Sequence, residues 1–386
     1  MFKNVKPKWY IGICAFVLTI TFFIFAAFPL QLKFGMWGLA ITQLGILFIA
    51  LIPVFLFRWK ISDVMPMKKV TAKQLFAMLL LYIATFFIVN TVTITTTYLF
   101  PESVQLSMDI ADFFTTAPFL ASLIIISVIT GICEEVLHRG VIQYTFKDCK
   151  SELAIMLFMA VIFGAFHLSL FRFLPTAIIG FVLAYLMIKT KNFLIPVLYH
   201  AVHNAVGFVI SYGADSNPTV SMPLESIGVF LILSSLSPFL FYTGVKLLNK
   251  EKPSKRTKYA TIALTLVLPI LGIGIFALSH SQTETYVTNF SMTPSVNIET
   301  PPEVVKFTIE KEGTYNIFVS IKDETHTVTT GVRIEHEDGE IAWDVGGIDL
   351  FANRFTNLKI GVYNVIFTFE TQSEQKTPVD ISFSIE

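Results

Sequence analysis

Apolar stretches recur through the first 280 residues, at about 9–29, 36–57, 75–100, 117–145, 152–171, 175–189, 193–213, 225–248 and 259–280. A helix needs about 20 apolar residues to cross a bilayer core of roughly 30 Å. Backbone polar groups in lipid must be satisfied internally, and a helix does this within one segment. The pattern therefore predicts nine helices, the sixth being the shortest. The first apolar run is too long for a cleaved signal peptide, and no small-residue cleavage site follows it. Beyond residue 280 the period changes. Segments 304–309, 314–321, 327–334, 341–345, 355–360, 362–369 and 379–385 alternate with period two or are rich in β-branched residues. Turn signals such as Lys311-Glu312-Gly313, Glu337-Asp338-Gly339 and Gly346-Gly347 separate them. Seven or eight short strands in about 100 residues predict a small sandwich or jelly roll.

The expected fold is an α-helical polytopic membrane bundle of about nine transmembrane helices with a C-terminal all-β sandwich-like domain. Residues 1–280 form the membrane domain, 281–302 a polar linker, and 303–386 the β domain. Composition agrees: 54% of residues are hydrophobic and only 15% charged, against about 25% charged in soluble chains. An ordinary cytoplasmic enzyme is excluded. The formal net charge of zero excludes a strongly basic nucleic-acid binder. That zero hides a split. Residues 281–386 hold 7 Lys+Arg and 17 Asp+Glu, while the first 280 hold 21 and 11. The three cysteines, Cys14, Cys133 and Cys149, are too scattered for a disulfide scaffold or a cysteine zinc site.

Charge also orients the helices. Lysines and arginines cluster before the first apolar stretch and after the second, fourth, sixth and eighth. The other connections carry Lys33, Arg172 or no positive charge. By the positive-inside rule the N-terminus is cytoplasmic and the acidic β domain extracytoplasmic, in a multi-pass protein of the cell membrane.

Ionisable residues within membrane spans are functional candidates by default. The fourth stretch holds Glu134, Glu135, His138 and Arg139, the fifth His167, and the seventh His200, His203 and Asn204. The third has only Asn90 and a threonine run that can bond to its own helix. Glu135 and Arg139, at i and i+4, can pair on one helix face. Glu134 is rotated by about 100° from that face, and His138, at i+4, is its nearest candidate partner. Two adjacent carboxylates in a low dielectric do not both ionise cheaply. His200 and Asn204 share a face at i and i+4. Each set has a purely structural alternative: an ion cluster at a helix end, a hydrogen-bonded core histidine, an interhelical hydrogen-bond pair. Three spans of one bundle supplying Glu, His and Asn together point instead to water activation or metal binding.

The three motifs, Glu134-Glu135-x-x-x-Arg139, Phe163-x-x-x-His167 and His200-x-x-x-Asn204, resemble those of the CPBP family of intramembrane endopeptidases, the CAAX prenyl protease and bacteriocin-processing group also called Abi. The resemblance covers about residues 75–215. It implies that Glu134 and His167 activate water for attack on a peptide bond. His200 and Asn204 hold that water or stabilise the oxyanion, Glu135 and Arg139 support the site, and Phe163 shapes its wall. A metalloprotease would use Glu134, His167 and His200 for Zn²⁺ and leave a position for water; a metal-independent glutamate mechanism is equally open. No His-Glu-x-x-His or Gly-x-Ser-x-Gly motif is present. The expected substrate is a hydrophobic or membrane-associated peptide or protein, and no nucleic acid is involved. A non-catalytic membrane scaffold and a proton-coupled transporter are the alternatives. No inverted repeat supports the transporter. Helix-depth arithmetic places Glu134 and His200 in the inner half of the bilayer and His167 nearer the outside, so the site is expected to open to the cytoplasm. Glu335, Glu337, Asp338 and Glu340 lack EF-hand spacing and read as a solvated turn rather than a Ca²⁺ site.

Overall fold

The computed structural model describes residues 5–101, 103–212, 223–249, 253–282, 288–323 and 325–385. The chain forms two compact units, one mainly helical and one mainly β. The helices are α1 (Trp9–Leu56), α2 (Ala72–Leu99), α3 (Ser103–Phe114), α4 (Phe119–Thr145), α5 (Glu152–Phe166), α6 (Leu170–Thr190), α7 (Leu194–Tyr212), α8 (Leu224–Leu248) and α9 (Lys255–Gln282). Among the described residues, seven are long and apolar enough to cross a membrane, so the chain is a multi-pass membrane protein. The nine expected spans are not all matched by this measure. Helix α5 has 15 residues, and α1 counts as one stretch of 48.

Gly35 interrupts α1 with φ +52°, in the left-handed region that favours glycine. The limbs on either side lie together: Gln31 Nε2 donates to Thr42 Oγ1 at 3.3 Å, and a Cβ on Gly38 would lie 2.2 Å from the Leu30 carbonyl oxygen. A Cβ on Gly35 would lie 2.4 Å from Thr116 Oγ1. Gly35→Ala is therefore expected to destabilise the bundle by more than about 1 kcal/mol. A thermal midpoint in detergent equal to that of the wild type would contradict this.

Two sets of contacts gather the connections at opposite ends. At the lysine-rich end Trp59 Nε1 donates to Val5 O at 2.8 Å, Asn192 Nδ2 to Lys68 O at 3.0 Å, and Lys189 pairs with Glu152 at 2.5 Å. At the charge-poor end Met36 N donates to Thr116 Oγ1 at 2.9 Å, Ser103 Oγ to Thr97 Oγ1 at 3.3 Å, and the rings of Phe100 and Phe171 lie 5.9 Å apart. Helix α3 belongs to this second end, where the hydropathy pattern predicted only a connection.

The β unit has two antiparallel sheets. One runs β1-β9-β4-β7 with β2 also on β9, and the other β3-β8-β5-β6. Here β1 is Thr288–Met292, β2 Ser295–Val296, β3 Glu303–Ile309, β4 Gly313–Asp323, β5 Thr329–His336, β6 Ile341–Ile348, β7 Phe351–Leu358, β8 Gly361–Glu370 and β9 Thr377–Ile385. Both sheets contribute to one core that includes Ile309, Val319, Val365 and Phe383. The order 2-9-4-7 against 3-8-5-6 is the interleaved connectivity of a jelly roll. Strands β1 and β2 occupy part of the expected linker, because their pairing with β9 satisfies backbone groups that a free linker would leave to water. The acidic run around Asp338 turns tightly, with His336 N donating to Glu340 O at 2.9 Å and Lys359 paired with Glu340.

Asp323 ties down the β4–β5 turn. Its carboxylate accepts from the backbone N–H groups of Thr325 (2.9 Å), Thr327 (2.7 Å) and Val328 (2.9 Å), and from Thr325 Oγ1 at 2.7 Å. Burial pushes its pKa up, but these hydrogen bonds together hold it below the usual aspartate value. A depressed pKa gives stability that is present above the unfolded-state value, about 3.9, and is lost as pH falls through the folded value. Asp323→Ala is expected to flatten the acid limb of the jelly roll's pH–stability curve. An unchanged limb would contradict it.

Candidate active site

Helix α4 carries the first cluster in an unusual frame. π-Helical turns at Ile124–Ile129 and Val136–Ile142 flank the α-helical turn Thr130–Glu135. Such turns recur at functional sites. They shift the bonding register and free carbonyls for side chains: Thr130 Oγ1 donates to Ile125 O at 2.9 Å and Asn204 Nδ2 to Ile126 O at 3.0 Å. The second of these fastens α7 to α4.

The two glutamates face different surroundings. Glu135 is 0% exposed, with Oε1 2.9 Å from Arg139 Nη1 and 2.9 Å from His200 Nδ1. Arg139 also donates to Gly180 O at 3.1 Å, and its guanidinium lies 4.7 Å from the Phe163 ring centroid. Glu134 is 6% exposed and lines a cavity of about 480 Å³. Its Oε1 accepts from Gln43 Nε2 at 3.1 Å, and its Oε2 lies 3.9 Å from His200 Nε2. The i, i+4 partner expected for the Glu134 carboxylate does not reach it. His138 Nδ1 instead donates to the Glu134 backbone carbonyl at 2.8 Å, and its ring packs edge-on against Phe163 and Phe166, each 5.0 Å away.

The other histidines have their tautomers set by their partners. His167, at the end of α5, donates from Nδ1 to Phe163 O at 2.9 Å. A carbonyl only accepts, so the proton sits on Nδ1 and Nε2 keeps a lone pair. Ion-paired Glu135 likewise accepts a hydrogen bond from His200 Nδ1–H, which leaves the Nε2 lone pair towards Glu134. Glu134, His167, His200, His203 and Asn204 all line the one cavity, together with Gln43 and Arg172. Phe163, expected in the wall, is buried behind the rings of His138, His167 and His200, and Phe166 lines the cavity instead.

Gln43 and Arg172 are additions to the sequence-derived set. Gln43 lies on the second limb of α1, outside the span of the three motifs; a lone amide within an apolar stretch was its only signal. In the sequence Arg172 carries only the signal of a connection charge, although it stands five residues after His167. Helices α5, α6 and α7 are capped so that these groups converge. Leu168 takes φ +48°, and Ser169 Oγ accepts from Arg172 N at 3.4 Å to start α6.

Residues 116–206 match the family model described as type II CAAX prenyl endopeptidase Rce1-like. The chain carries a CAAX-protease segment of the CPBP family. This segment contains Glu134, Glu135, Arg139, His167, His200 and Asn204, while Gln43 and α3 lie outside it. The family match points to a protease working within the membrane. No curated protein matches the chain.

Among the described residues, no group of three or more His, Cys, Asp or Glu side chains is placed to hold a metal ion. The set expected for zinc, Glu134, His167 and His200, shares one cavity but does not come together as a three-ligand group.

The cavity runs towards the charge-poor end, since its lining continues to Asp109, Gly207 and Ser211. On the opposite side Glu135 through Ile142 are all buried. This is the end opposite to the lysine-rich one, at which the site was expected to open. At the start of α7, Asn192 is 0% exposed, Phe193 3% and Ile195 0%, so this end of the helix is packed within protein.

Proposed function

We propose that the chain is an intramembrane endopeptidase of the glutamate type, acting on a hydrophobic or membrane-associated polypeptide. The observation that carries this reading is that Glu134 lines the cavity with its carboxylate facing the His200 ring, which the buried Glu135–Arg139 pair orients. A contact of 3.9 Å between Glu134 Oε2 and His200 Nε2 is the spacing at which one water bridges two acceptors. That water donates one hydrogen to each. Glu134 takes a proton as the water oxygen attacks the scissile carbonyl carbon, in general-base catalysis. The remaining N–H of Asn204 is a donor for the oxyanion. The C–N bond then breaks, and the proton held by Glu134 passes to the departing amine. His167, with its Nε2 lone pair free, orients the substrate or the water from the opposite side.

On the positive-inside rule, the cavity opens at the extracytoplasmic end, with the N-terminus cytoplasmic and the β domain outside. Substrate would then enter from that face or laterally from the bilayer. The test is cleavage by purified, detergent-solubilised protein of a panel of C-terminally lipidated peptides and hydrophobic leader peptides. Products are identified by mass, and bound zinc is measured on the same preparation. Internal cleavage supports the peptidase. No product from any peptide, with a stable partner captured instead, would favour the scaffold. Stoichiometric zinc needed for cleavage would replace the glutamate mechanism with a metallo-mechanism.

A further inference from the structure

Arg172 has a backbone that is well anchored and a side chain that is not. Its N–H is received by Ser169 Oγ at 3.4 Å, and its carbonyl accepts from Thr176 Oγ1 at 2.7 Å. Among the described residues, no carboxylate lies within ion-pair distance of its guanidinium, although Arg139, Lys189 and Arg333 each have such a partner. The residue borders two cavities. One, of about 480 Å³, contains Glu134, His167 and His200; the other, of about 230 Å³, lies between α2, α3 and α6. Arg172, Ile110 and His203 line both.

The second cavity is lined by six hydroxyl residues, of which three donate within their own helix and a fourth, Ser103, donates to Thr97. Thr96 donates to Val92 O at 2.8 Å, Ser107 to Ser103 O at 3.3 Å and Thr176 to Arg172 O. They leave little donor capacity for an anion. The guanidinium is permanently charged, has five donors in a planar fork, and matches a carboxylate in two-pronged geometry. The Arg172 residue is exposed at the cavity wall, so a carboxylate arriving in the cavity can reach its guanidinium.

We propose that Arg172 is a specificity-determining residue that binds a carboxylate of the substrate polypeptide, at the junction of the two cavities and beside the catalytic Glu134. The inference rests on the peptidase reading of that site. The carboxylate has two sources, the end of the polypeptide chain or an acidic side chain near the cleaved bond.

The experiment uses the full-length protein and three matched peptides from the panel: one with a free C-terminal carboxylate, one with a C-terminal amide, and one amide-ended with an aspartate near the end. KM and kcat are measured for wild type, Arg172→Gln and Arg172→Lys. Wild type is expected to favour a carboxylate-bearing peptide. Arg172→Gln is expected to raise KM for it by about ten- to a hundredfold, the worth of a charge-assisted hydrogen bond, and to change KM for the amide peptide by a much smaller factor. Arg172→Lys restores part of the loss. A preference for the first peptide assigns the chain end, and for the third the side chain. Equal losses for carboxylate and amide peptides, or no preference in wild type, would overturn the proposal.

Binding of the same peptides to the Glu134→Gln variant, followed by fluorescence anisotropy, separates this proposal from the peptidase reading. Carboxylate preference in binding without cleavage by wild type would sink the peptidase and keep the subsite. Cleavage without end-group preference would do the reverse. Thermal midpoints of both Arg172 variants identify a folding defect, in which case the Arg172→Lys data alone decide.

Discussion

Glu135→Ala is expected to destabilise the membrane domain by about 3–5 kcal/mol, the range for breaking a buried ion pair from one side. The carboxylate serves two groups at once, Arg139 and His200, each at 2.9 Å. Truncation leaves the guanidinium of Arg139, 1% exposed, with only the Gly180 carbonyl and the Phe163 ring. Replacing both members, as in Glu135→Met with Arg139→Leu, is expected to recover much of the stability, because no buried charge is then stranded. It is not expected to recover activity, because His200 still lacks the acceptor that fixes its tautomer. Thermal unfolding of the two variants in detergent, with cleavage measured beside it, checks both parts. A Glu135→Ala loss within about 0.5 kcal/mol, the usual range for a surface substitution, would contradict the buried pair.

Glu134→Gln is expected to leave the fold intact and to lower kcat by about 10²- to 10⁴-fold, the range for losing a general base. The glutamine side chain has the same shape, and its amide oxygen can still accept from Gln43. What it cannot do is take a proton from the water that Glu134 and His200 hold between them. The loss should appear in kcat rather than KM, because the change touches the chemical step and not the apolar lining that receives the substrate.

The apolar runs made most of the bundle legible, since membrane length and backbone satisfaction leave little freedom. Period-two alternation did the same for the seven strands from Glu303 onwards. Features set by tertiary contact were not legible. Helix α3 has an amphipathic pattern too short to register as a span. Strands β1 and β2 form only because β9 offers a free edge. The π-turn before Thr130–Glu135 has its Ile125 and Ile126 carbonyls bonded by Thr130 and Asn204, the second of which comes from another helix and is encoded in no local pattern. Within the candidate site, i, i+4 spacing anticipated the Glu135–Arg139 pair. It failed for His138 because an identical spacing allows a bond to backbone as well as to carboxylate. Gln43 comes from a helix 91 residues away, beyond any motif spacing. The direction of the cavity, towards Asp109, Gly207 and Ser211, follows from how the helices pack, which a residue count along one helix does not show.

The central claim is that Glu134 activates the hydrolytic water. The most direct measurement compares wild type and Glu134→Gln, purified identically, for kcat on one peptide that wild type cleaves. Equal thermal midpoints with cleavage lost only in the variant are predicted. Cleavage that persists undiminished in Glu134→Gln would contradict the account and move the search for the base to the other cavity groups, His167 and His203.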